Sequence, residues 1–159
     1  MSIPLTVNGD IYNYPQNRES PSWGEDATDW ASAVTDVLGS IVGTGDILQT
    51  SATIANNISS PTSIPSFNFD PILVRGAVCI ASIYRVTTGG GATELAETVH
   101  IYLTYKSTAG SWEIAVVGTG SSGVTFSITN GGQVQYTSTN ITGSAYSGTI
   151  KFKAQALSI

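Results

Sequence analysis

The chain reads as a mainly β protein: an N-terminal β-ribbon and one amphipathic helix, an extended connector, and a C-terminal antiparallel β-sandwich or jelly roll. Three observations carry this reading. Residues 23–41 hold the only helical periodicity, residues 72–159 hold short alternating runs separated by turn residues, and the 159-residue chain is 41% apolar but only 11% charged. The usual charged share is about 25%. A surface so poor in charge relies on Gly, Ser and Thr, as all-β extracellular and particle-coat proteins do.

The ribbon comes first. Leu5 to Pro15 carries Asn8-Gly9 between alternating residues, the strongest short signal for a two-residue hairpin. Pro15 closes it, and residues 15–21 form a polar link.

Trp23, Ala27, Trp30, Val34, Val37 and Ile41 then recur in steps of four and three, a 3.5-residue period. The spacing predicts an amphipathic helix of roughly 28 Å at about 1.5 Å per residue. Glu25, Asp26 and Asp29 sit at its N-terminal end, where the macrodipole favours acids, and Gly39 and Gly43 offer stops. Its seam can serve a core or a second copy; its place between a ribbon and a connector points to attachment or oligomerisation. Tyr12, Tyr14, Trp23 and Trp30 make this stretch aromatic, and the helical spacing of the tryptophans favours packing over sugar binding.

Residues 44–71 change character. Prolines, Ser, Thr and Asn surround isolated apolar residues with neither a helical nor a strand period. A long structureless loop inside a compact domain is unusual, so this stretch is expected to lie extended along a surface. Ile47, Leu48, Ile54, Ile58, Ile64 and Phe67 would be its pegs. The organisation is therefore 1–43, a ribbon and helix module; 44–71, the connector; and 72–159, the sandwich.

In the last segment Val99, Ile101, Leu103 and Tyr105 alternate with His100, Tyr102 and Thr104, the pattern of a strand with one wet face. Ile72 to Thr87 reads as one or two strands, with Gly76 as a candidate bulge. Gly89-Gly-Gly, Thr108-Ala-Gly, Asn130-Gly-Gly and the loop after Asn140 punctuate at least six strands with no helix between them. Lys151 and Lys153 fit the outward face of a terminal edge strand.

Charge is divided. Residues 1–70 hold eight acids and one base, whereas residues 71–159 hold three acids and five bases. Opposite signs would suit head-to-tail contact or a basic partner for the N-terminal half, but a solvated acidic face is the simpler expectation and the preferred one. The scattered bases form no phosphate-binding patch, which argues against nucleic acid. No apolar run approaches the roughly 20 residues of a membrane span, and the opening residues carry no secretory signal, so a soluble chain made in a cytoplasm is expected.

No chemical constellation emerges. Cys79, the sole cysteine, falls in an apolar run and reads as a buried thiol. Gly118-Thr-Gly-Ser-Ser-Gly123 matches a dinucleotide fingerprint, but a strand follows where a helix is required. His100 is the sole histidine and has no nucleophile elbow to serve. Glu94, Glu97 and Glu113 are the acids of the β part, without an aromatic cradle. No catalytic, cofactor or metal residues are assigned.

Two stretches resemble a known class. Val7-Asn-Gly-Asp-Ile-Tyr-Asn-Tyr-Pro15 followed by Trp23-Gly-Glu-Asp-Ala-Thr-Asp-Trp-Ala31 resembles the N-terminal region of virion structural proteins of tailed bacteriophages. Val124-Thr-Phe-Ser-Ile128, residues 132–140 and Gly148-Thr-Ile-Lys-Phe-Lys-Ala154 are similar to the β module closing many such proteins. The resemblance implies a virion protein without catalysis that assembles symmetrically, with a trimer favoured. Its short two-part build implies capsid decoration on the major capsid protein or other virion proteins. A tail-fibre or adaptor role would instead present the loops Gly118–Gly123 and Asn140–Tyr146 to a host glycan; a hydrolase lacks its residues.

Overall fold

The computed structural model describes residues 3–7, 10–14, 28–35, 44–89 and 91–159. The chain divides into two compact units, Met1–Gly43 and Thr44–Ile159.

In the first unit, β1 (Ile3–Val7) and β2 (Asp10–Tyr14) pair antiparallel from Ile3↔Tyr14 to Val7↔Asp10. That register leaves only Asn8 and Gly9 between the strands, as the two-residue hairpin requires. Helix α1 spans residues 28–35, inside the expected 23–41. Trp30 and Val34, four apart and so on one face, are half-buried, while Ala31 is exposed. Trp23, Ala27, Val37 and Ile41 lie outside the described residues.

The second unit is a two-layer sandwich of eight strands. The larger sheet has the order β3 (Ile47–Thr53), β10 (Ser144–Ser158), β5 (Val74–Thr88), β6 (Glu94–Lys106), β7 (Ser111–Ser121). The smaller runs β4 (Ile58–Asn68), β9 (Gln133–Ser138), β8 (Val124–Ile128). All pairings are antiparallel, and β5–β6–β7 is a meander.

The period-two rule sets what faces inward. Cys79, Ala81 and Ile83 on β5 are buried, as are Val99, Ile101 and Leu103 on β6 and Ile150 and Phe152 on β10. The facing sheet contributes Ile64, Phe67, Phe126, Val134 and Tyr136. Phe67 stacks on Phe152 across the layers at 4.1 Å between ring centroids. On β5 the phase shifts once: Leu157 pairs with Gly76 but Ser158 with Val74, so one extra residue, Arg75, enters beside the glycine expected to mark a bulge.

The expected connector is corrected. Residues 44–71 belong to the sandwich: β3 pairs with β10 and β4 with β9. Ile54, Ile64 and Phe67 are core residues of their own chain, Ile47 and Ile58 pack against that core, and Leu48 is exposed. These residues therefore fill the inter-sheet space. Irregular pairing hid them: the β4–β9 register breaks twice, Pro61 and Pro65 interrupt the strand, and Ser66 takes a positive φ of 60°.

Two other expectations change. Gly118 to Ser121 continue β7, so only Ser122 and Gly123 separate it from β8. Lys151 and Lys153 do point outward, but β10 is flanked by β3 and β5 and is no edge.

The aromatic stack ties the layers together, so Phe152→Ala is expected to lower unfolding free energy by about 3–5 kcal/mol. Equilibrium denaturation of the full chain measures this.

Candidate interaction surface

The outward face of the larger sheet is built by register. One row across it reads Lys153, Ile80, His100, Val117, and the next reads Gln155, Val78, Tyr102, Ala115. A third carries Lys151, Ser82, Thr98 and Thr119, and Tyr84 extends the apolar strip along β5. Val78, Ile80, Tyr84 and Tyr102 are each about two-fifths exposed, and Val117 is 65% exposed. The His100 and Tyr102 rings lie 6.4 Å apart. A sheet with one wet face ordinarily turns polar residues to water. Here neighbouring strands bring aliphatic and aromatic side chains together, with two lysines along one flank. Contiguous exposed apolar surface of this kind marks interaction sites.

The loops named for the tail-fibre expectation also surround a buried cation. Arg85, on β5, is fully buried, and its guanidinium is enclosed by them. Nε donates to Tyr146 Oη at 3.0 Å; Nη1 donates to Ser122 O at 2.6 Å and Thr139 Oγ1 at 3.4 Å. Nη2 donates to Asn56 Oδ1 at 3.1 Å and Thr139 O at 2.6 Å. All five acceptors are neutral, and the Tyr146 ring lies 5.6 Å from the guanidinium carbon. The shell is braced in turn. Tyr146 donates to Ile54 O, Asn56 exchanges hydrogen bonds with the Ile141 backbone, and Ser122 N–H and Oγ both donate to Glu97 Oε2. Ile141 is buried. Ser122, Thr139, Ile141 and Tyr146 are thus structural parts of this end, while residues 142–145 are exposed. Arg85 was not assigned from sequence, although parity could have found it. It lies two residues beyond Ile83, in the same phase as Cys79 and Ala81.

At the opposite end of β6, an open cavity of about 490 Å³ is lined by Arg75, Tyr105, Lys106, Ser107, Thr108 and Ala109. Lys106 is ion-paired with Glu113. The acids of the β part are dispersed. Glu97 pairs with Gly120, and Glu113 with Thr104, seven residues from Glu97 along β6. That is roughly 24 Å at about 3.4 Å per residue, beyond the about 5–9.5 Å separating glycosidase carboxylates. Among the described residues no group of three His, Cys, Asp or Glu side chains is placed to hold a metal ion. No helix among them is long and apolar enough to cross a membrane.

Cys79 is buried in the core, and desolvation pushes its thiol up to about 12. In α1, Trp30 is half-buried, so its truncation removes less packing than that of a core tryptophan.

No family model matches the sequence, and no curated protein does. Among solved structures, the tailspike protein of Acinetobacter phage vB_ApiP_P1 is a weak neighbour, with a TM-score of 0.42 and 16% identity. The match covers 69% of this chain and 22% of the tailspike.

Two outcomes are expected. Arg85→Met leaves the carbonyls of Ser122 and Thr139 without their guanidinium donor and should destabilise the fold by about 1–3 kcal/mol for each buried carbonyl left unpaired, read by denaturation. Cys79 should resist a thiol reagent at pH 8 in the native chain and react fully once denatured.

Proposed function

We propose that this chain is a non-enzymatic structural component of a tailed-phage virion that decorates the capsid by binding the major capsid protein shell. The observation that carries this reading is the apolar outward sheet face, flanked by Lys151 and Lys153, on a sandwich whose core is complete without it. A face built this way gains stability by burial against a protein neighbour, at about 25 cal/mol per Å² of apolar surface removed from water. The N-terminal resemblance to virion proteins and the separate acidic unit support an attachment role for Met1–Gly43. Trp30 and Val34 present the described part of its seam.

Labelled chain imaged on virions tests the position: label spread over the head supports decoration, and label confined to the tail overturns it. Ile80→Asp with Tyr102→Asp, at exposed sites, should leave the melting transition nearly unchanged. Shell occupancy should fall at least about tenfold, the loss of one interface anchor.

A tail-fibre or adaptor role in host glycan binding has one observation in its favour. The cavity beside Arg75 and Tyr105 offers a cation, an aromatic face and the Ser107 and Thr108 hydroxyls. Under that reading, glycan-array binding by the full chain should vanish in Arg75→Ala and Tyr105→Ala. A blank array for the unaltered chain removes it.

A further inference from the structure

The sandwich has four sheet edges, and three are blunted. β8 has only five residues. β3 has seven and faces a register shift in β10 between Phe152 and Ala154. β4 carries Pro61 and Pro65, which have no N–H to offer, and an irregular register. The fourth edge, β7, is different. It runs eleven residues in unbroken register with β6, from Ser111↔Lys106 to Ser121↔Ala96, with no proline and a single charge, Glu113. Such an edge is a template for a further strand unless something guards it.

Burial along β7 points the same way. Every residue from Ala115 to Ser121 is exposed, so the alternation of a half-buried strand is lost. Val116 pairs with fully buried Ile101 yet is 41% exposed, and Val117 beside it is 65% exposed. Both faces of this edge present valine to water.

We propose that β7 pairs antiparallel with β7 of a second copy of this chain across a two-fold axis at Val116. The sequence of the strand selects its own copy as occupant. With Val116 opposite itself, Ala115 faces Val117, Ile114 faces Gly118 and Glu113 faces Thr119. On the inward face Ile114 thus meets a glycine rather than a second branched side chain, and the two Glu113 carboxylates never oppose each other. Gly120, at a φ of +99°, ends the regular stretch just beyond. The paired length is seven residues a side, roughly 24 Å. The contact is isologous, so it closes at two chains and joins two five-stranded sheets into one. This pairing does not depend on where in a particle the chain sits.

The test uses the full chain. Sedimentation across a concentration series should give a dimer, and Val117→Lys, at an exposed site, should raise the dissociation constant at least about tenfold while thermal unfolding of the monomer is retained. Register is read by cross-linking. Directly opposed strand residues lie about 4.5–5.5 Å apart between Cα atoms, within disulfide reach. Val116→Cys should therefore form a covalent dimer on mild oxidation, and Thr119→Cys, which opposes Glu113, should not. A monomer at all concentrations, a trimer, or equal cross-linking of both variants overturns the proposal.

Discussion

The sandwich depends on how it accommodates one buried cation. A guanidinium removed from water is strongly unfavourable unless every N–H finds an acceptor, and Arg85 satisfies that condition with neutral groups alone. Its acceptors come from the β3–β4 loop, the turn after β7, the segment after β9, and β10. Segments distant in sequence are thereby fixed to one point. Gly123, at a φ of +65°, belongs to this arrangement: a Cβ there would lie 2.1 Å from Thr139 Oγ1. The fold closes this end by hydrogen bonding and the space between sheets by aromatic and aliphatic packing.

That division decides which surfaces are open to partners. At the Arg85 end, the Ser122 and Thr139 carbonyls, the Asn56 amide oxygen and the Tyr146 hydroxyl are committed to the guanidinium. The outward face of the larger sheet and the β7 edge have no such commitments, and both are apolar. Within the sandwich, the exposed apolar side chains at Val78, Ile80 and Tyr102 and the β7 edge are carried by strands. The two surfaces adjoin at Val117, next to His100 in the register.

Legibility in the sequence followed regularity of the backbone. Strict alternation from Val99 to Tyr105 is a local property, and β6 forms where it occurs. The β1–β2 pairing likewise follows a local signal, an Asn-Gly pair between alternating residues. β4 was missed because Ile58, Ile64 and Phe67 are spaced by prolines and register breaks, so neither period survives. The role of Arg85 was missed for another reason. An arginine in an apolar strand looks outward-facing unless its parity is followed through Cys79, Ala81 and Ile83, and its acceptors lie up to 61 residues away. Exposure of Val116, which lies on the inward face opposite Ile101, depends on where the smaller sheet stops, which no local pattern encodes.

The central claim is that the end of the sandwich around Arg85 is a fixed structural closure rather than a set of free loops. Native-state amide hydrogen exchange measures this directly. The backbone N–H groups of Ala55, Ser122, Thr139 and Ile141 donate to Tyr136 Oη, Glu97, Gly123 O and Asn56. The account predicts exchange at these loop positions nearly as slow as at the central strands β5 and β6. Exchange as fast as at the exposed turn 107–110 would contradict it.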